Sequence, residues 1–151
     1  MSRTARQDLG EYGEELVRKS QDCPRCKRPR VLRRLPPTFK CADIICDFCG
    51  YLAQVKTTTS VDVETLPPVL MGAAWGPQRE RMDAGIYFPL FIVLVTANRR
   101  QRSVFYLPAD LQRPEMFAPR NPLSAGARRA GWQGYMIRLD RLGASAPTRV
   151  A

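Results

Sequence analysis

The stretch FKCADIICDFCGYLAQVKTT, residues 39–58, holds most of the side chains in this chain that could do chemistry. Cys46 and Cys49 form a C-x2-C pair there. Cys23 and Cys26 form another in CPRC, so the full layout is C-x2-C-x19-C-x2-C. That spacing suits a four-thiolate zinc site. Four soft ligands leave no open position for a substrate, so the expected Zn2+ is structural. The competing readings are weaker: disulfides belong to oxidising compartments, and a thioredoxin-like redox pair would leave the second pair unexplained. Cys41 has no partner at knuckle spacing and reads as a small buried hydrophobe on a strand.

Asp43 precedes the second knuckle, and Gln54 and Lys56 follow it. On a strand, residues two apart share a face, so Gln54 and Lys56 project together while Val55 enters the other side. If the flanking segments pair as a hairpin, Asp43 lies on the partner strand. The Asp43 carboxylate and the Gln54 carbonyl would then offer oxygens to a hard cation such as Mg2+, with Lys56 beside them. A cation there activates water and neutralises phosphate charge, and an ammonium adds donors toward the developing charge. Any amphipathic surface strand produces the same spacing, so the pattern by itself does not choose.

Composition narrows the field. The chain has 151 residues, 44% of them hydrophobic and 25% charged, as expected of one globular domain with a single core. It has no histidine, which excludes histidine general bases, Ser-His triads and histidine metal ligands. The 24 Lys and Arg outnumber the 14 Asp and Glu, and a net charge of +10 favours nucleic acid as partner, although solubility alone is an alternative. The N-terminus lacks an apolar signal region and no run is long enough to span a membrane. The expected location is the cytoplasm, with no membrane partner.

The elements that must position these residues can be read coarsely. Residues 8–20 look helical, with acids early and Arg18 and Lys19 late. FKCADII and YLAQVKT read as a hairpin whose turn is the second knuckle. Residues 67–85 read as a long helical segment, IYFPLFIVLVT and SVFYLPA as paired strands, 111–131 as loop, and 131–142 as a last strand. Residues 143–151 read as a disordered tail. Helix, hairpin, helix and buried strands imply an α/β domain with a mixed sheet over residues 1–142.

The segment CADIICDFCGYLAQVK resembles the catalytic segment of the DpnI-type restriction endonucleases, of the PD-(D/E)xK nuclease superfamily. The resemblance extends through EELVRKSQDCPRC, MGAAWGPQRERMDAGIYFPLFIVL and PLSAGARRAGWQGYMI, covering residues 14–142. It covers the catalytic domain and not the winged-helix domain that follows it in the family.

The resemblance implies a mixed β-sheet flanked by helices, with the four-cysteine zinc site inserted. It makes Asp43 the metal-binding aspartate and Lys56 the catalytic lysine. Gln54 stands where the family has glutamate. Cys23, Cys26, Cys46 and Cys49 take the zinc ligand positions. Glu14 or Glu15, on the first helix, would restore a carboxylate to the site. Trp132 falls on an aromatic near DNA, with Arg128 and Arg129 as phosphate or groove contacts. By themselves, these three also read as a half-buried core aromatic and a solvated loop.

The implied activity is Mg2+-dependent hydrolysis of double-stranded DNA, of restriction type and directed to methylated adenine in GATC-like sites. A separate DNA-reading chain is left open by the missing winged helix. The alternative is a zinc-stabilised DNA-binding module with impaired catalysis, Gln54 marking the loss.

Overall fold

The computed structural model describes residues 4–143 and 146–151. Helix α1 spans Ala5–Ser20. It starts three residues before the expected boundary because Thr4 caps it. The Thr4 hydroxyl accepts from the Gln7 N–H at 3.1 Å, and Gln7 Oε1 accepts from the Thr4 N–H at 3.0 Å. This reciprocal box satisfies two otherwise orphaned donors. Asp8 in the first turn and Arg18 and Lys19 in the last match the helix dipole.

Two sheets follow. The larger contains β1 (Leu32–Arg34), β2 (Ile44–Cys46), β3 (Leu52–Thr59), β5 (Leu90–Val95), β6 (Arg102–Leu107) and β9 (Thr148–Arg149), in the order β1-β2-β3-β5-β6-β9. Only β3 and β5 run parallel; their neighbours pair antiparallel. The smaller sheet is antiparallel, β4 (Val69–Gly72), β8 (Tyr135–Arg138) and β7 (Phe117–Pro119), in the order β4-β8-β7.

Strand β5 is buried at every position, as a strand covered on both faces must be. Its side chains alternate between two cores. Phe91 and Val93 pack with Val17 of α1, Ala53, Val55 and Val104. Leu90, Ile92 and Leu94 pack with Leu70, Phe117, Tyr135 and Ile137 of the smaller sheet. The α/β class and the mixed sheet match the sequence reading, but the flanking layers differ. One face carries α1. The other carries the second sheet, with the short helix α2 (Trp75–Asp83) beside it.

That difference arises within residues 67–85. Only Trp75–Asp83 is helical, and Val69–Gly72 is a strand. Pro67 and Pro68 cannot donate to a helix ladder, and Leu70 gains a buried place against Ile137 by pairing with β8. The tail also differs from expectation. Thr148 and Arg149 pair with Tyr106 and Phe105, and Arg149 forms an ion pair with Glu64. An open β6 edge presents unpaired backbone groups, and the last residues satisfy them. Residues 144–145 of that tail lie outside the described residues.

Candidate active site and cysteine cluster

The sulfurs of Cys23, Cys26, Cys46 and Cys49 all lie within 4.8 Å of one another. Cys23 and Cys49 sulfurs are 3.5 Å apart and those of Cys26 and Cys46 3.7 Å. Zinc–thiolate bonds of about 2.3 Å in a tetrahedron place neighbouring sulfurs at similar separations. The donor set and the spacing therefore fit a zinc ion.

The two knuckles are built alike. The Cys26 N–H points to the Cys23 sulfur and the Cys49 N–H to the Cys46 sulfur, at 3.5 and 3.4 Å. Lys27 N–H donates to Cys23 O and Gly50 N–H to Cys46 O, both at 2.9 Å. The residue after each pair is left-handed, Lys27 at φ 65° and Gly50 at φ 79°. Glycine adopts that conformation freely; lysine does so at some strain.

The second knuckle turns β2 into β3 in the register Ile44↔Ala53 and Ile45↔Leu52. One step further along that register, Asp43 comes opposite Gln54, and opposed residues share a face. Asp43 Oδ2 accepts the Val55 N–H at 2.7 Å, and Asp43 N–H donates to Ala53 O at 2.9 Å. Burial pushes the Asp43 carboxyl above its ordinary range, against the pull of the Val55 N–H, Lys56 and Arg34. Burial likewise draws the Lys56 ammonium below the ordinary lysine value, opposed by Asp43, Cys41 and Glu14. Each of these groups feels the charge of the others.

Helix α1 separates the two candidate glutamates. Glu14 faces the hairpin, where burial and the Asp43 charge raise its carboxyl while Arg34 pulls it down. Arg34 Nε meets Glu14 Oε1 at 3.1 Å. Glu15 turns aside to Arg18, 2.8 Å away, and that hydrogen bond holds its carboxyl low. Glu11, Glu14, Arg34, Phe39 and Asp43 line one cleft of about 380 Å³.

Behind Gln54 lies a polar chain. Gln54 hydrogen-bonds the Tyr135 hydroxyl, whose pKa burial pushes up to about 12. That hydroxyl donates in turn to Gln78 Oε1 at 3.4 Å. Tyr135 and Gln78 are both buried. Cys41, expected as a buried hydrophobe on a strand, is instead half-buried in the loop before β2 at φ 66°, with Arg81, Lys56 and Asp43 as charged neighbours.

Trp132, Arg128 and Arg129 lie on the excursion joining β7 to β8. Leu123 N–H donates to Trp132 O at 2.8 Å, Arg120 N–H to Gly134 O at 2.9 Å, and Trp75 N–H to Gln133 O at 2.9 Å. The Arg129 guanidinium sits 4.7 Å over the Trp132 ring. Arg128 is exposed and Trp132 half-buried. Trp132 lies three residues before Tyr135, the first residue of β8.

Residues 2–150 match the Dam-replacing family, DpnI. This chain belongs to the DpnI family. That family is associated with restriction endonuclease activity. No curated protein matches the chain, and no helix among the described residues is long and apolar enough to cross a membrane.

Sequence reading did not single out Arg34, Tyr135 or Gln78 in this DpnI-family chain. Arg34 was one of many arginines in a basic run, and Tyr135 one aromatic on a short strand. Gln78 alone carried a usable signal: its side chain lies on a helix that packs against the core, where a polar group needs a partner.

Proposed function

We propose that this chain is a Mg2+-dependent endonuclease that hydrolyses phosphodiester bonds of double-stranded DNA, of the restriction type and directed to methylated adenine in GATC-like sites. What supports the reading is the meeting of Asp43 and Glu14 at one cleft, with Lys56 and Gln54 beside them, in a DpnI-family chain. Asp43, the Gln54 amide oxygen and Glu14 would hold the ion, a hard-oxygen set of the kind Mg2+ accepts. When bound, that ion supplies Lewis-acid polarisation and a more acidic water.

The chain's own groups do the rest. The Val55 N–H holds Asp43 Oδ2, which fixes the carboxylate at the cleft that Asp43 lines. Tyr135 and Gln78 orient the Gln54 amide. Lys56 directs its donors at the attacked phosphate, where negative charge develops. An amide at position 54 leaves the site one negative charge short of a carboxylate pair, so Asp43 and Glu14 carry the binding charge. Arg128, Arg129 and Trp132 grip the duplex from the same strand end as Tyr135.

Adenine-methylated and unmethylated plasmid, incubated with Mg2+ or Mn2+, test the reading beside Asp43→Ala and Lys56→Ala. Cutting confined to methylated plasmid and absent from both variants is the expected result. Cutting that persists in both variants overturns it. The second reading, a DNA-binding module without catalysis, is favoured by the amide at Gln54. Salt-sensitive duplex binding with no cutting by the wild type would select it.

A further inference from the structure

The first zinc knuckle carries cations that the catalytic cleft does not use. Lys27, Arg28 and Arg30 are all exposed on the loop from Cys26 to β1. Among the described residues, Lys27 and Arg30 have no acidic partner. The neighbouring acid on the second knuckle, Asp47, is taken by Arg33 at 3.1 Å. Lys27 and Arg30 both hold left-handed backbone, φ 65° and 58°. Long cationic side chains thus stand at strained positions of a loop whose ends are fixed by thiolates.

The second knuckle completes the face. Phe48, between Cys46 and Cys49, is 58% exposed, and the Arg28 guanidinium lies over its ring at 3.7 Å. A guanidinium held flat on an aromatic gives up little freedom when it meets an anion. Two strands tie this face to the cleft. The chain leads from Arg30 through β1 to Arg34, which touches Glu14, and β2 leads from Cys46 back toward Asp43. Three strand residues span about 10 Å, comparable to about three base-pair steps of a duplex.

We propose that the paired zinc knuckles form a second DNA-contact surface, with Lys27, Arg28 and Arg30 gripping the phosphate backbone a few base pairs from the bond bound at the Asp43 cleft. This rests on the reading of the chain as a DNA nuclease. The cysteine cluster then has two tasks, holding the catalytic hairpin and presenting a rigid cationic face. Because the contact is to phosphate, it adds affinity without sequence preference.

The test is duplex binding by fluorescence anisotropy across a salt series, with Ca2+ replacing Mg2+ to prevent cutting. The triple variant Lys27→Ala/Arg28→Ala/Arg30→Ala keeps every zinc ligand, and its zinc content is measured alongside. Removing one phosphate grip lowers the slope of log K against log salt by about 0.9, so a reduction of about 2 to 3 is expected. A charge-matched triple, Arg100→Ala/Arg102→Ala/Arg141→Ala, should change the slope far less. An unchanged slope in the knuckle triple, or an equal reduction in the control triple, overturns the proposal. Absence of salt-dependent binding by the wild type would instead sink the nuclease reading itself.

Discussion

Asp43 Oδ2 accepts the backbone N–H of Val55 at 2.7 Å, so the carboxylate is fastened between Gln54 and Lys56 on the neighbouring strand. The bond does two things. It continues the β2–β3 pairing past the end of β2, with a side-chain acceptor standing in for a backbone carbonyl. It also holds the carboxylate in place at the cleft that Asp43 lines. A slip of one residue would carry Lys56 to the face occupied by Val55, into the core with Phe91 and Val17.

Glu14 and Glu15 are adjacent and both pair with Arg34, at 3.1 and 3.7 Å, yet only the Glu14 carboxyl is raised by the charge of Asp43. Glu14→Gln should reduce cleavage by roughly 10-fold or more, the loss that a supporting group in a metal site brings. Glu15→Gln should leave cleavage near the wild-type rate, since it removes half-buried surface pairs with Arg18 and Arg34 and no group that feels Asp43. Steady-state cleavage of one plasmid by both variants decides the matter, and equal losses would contradict the assignment.

The buried charges at the site oppose folding. The Asp43 pKa is raised in the folded chain, so its ionised form destabilises the fold at neutral pH. The penalty is absent below the ordinary aspartate value of 3.8 and complete once pH passes the raised value. For Lys56 the pKa is lowered, so its penalty applies below the lowered value and fades as pH rises through the ordinary 10.5. Asp43→Asn, which keeps an acceptor for the Val55 N–H, should abolish cleavage yet raise Tm at pH 7 by a few degrees. The gain should shrink toward zero in melts carried out at acid pH. A gain independent of pH would show that ionisation is not its cause.

Zinc removal should dismantle the hairpin before the rest of the molecule. A strong chelator, or Cys26→Ser, is expected to lower Tm by about 10 °C or more. Cleavage should be lost even in excess Mg2+, because the short β1–β2 pairing and the exposed Arg33–Asp47 pair would then have to hold the two knuckles without the metal. Undiminished cleavage by zinc-free protein would end the idea that the cluster sets the register of the catalytic hairpin.

Helix α1 approaches β3 at Gly13. A Cβ there would lie 1.6 Å from Thr57 Oγ1 and 2.8 Å from Thr57 Cβ, so the helix would have to move off the sheet. Gly13→Ala should cost about 2–3 kcal/mol in urea unfolding and draw Glu14 away from Asp43. Gly10→Ala meets nothing within 4 Å and should instead stabilise by about 0.5–1 kcal/mol through helix propensity. Like effects from both would mean the close approach is not what limits position 13.

The four-cysteine cluster and the hairpin that carries Asp43, Gln54 and Lys56 were legible in the chain because their information is local. Cysteine pairs at knuckle spacing, and apolar alternation on either side of one turn, specify a register without reference to distant residues. The paired strands 90–95 and 102–107 were legible for the same reason. What the tertiary structure alone decided depends on segments far apart in sequence. That Glu14, and not Glu15, comes under the charge of Asp43 depends on how α1 packs against β3 at Gly13. The Tyr135–Gln78 support behind Gln54 exists only because a second sheet, not a helix, covers that face. The last residues became a strand because β6 had an edge to fill. Propensity cannot foresee such outcomes, since each is set by which partner surface remains open when the core closes.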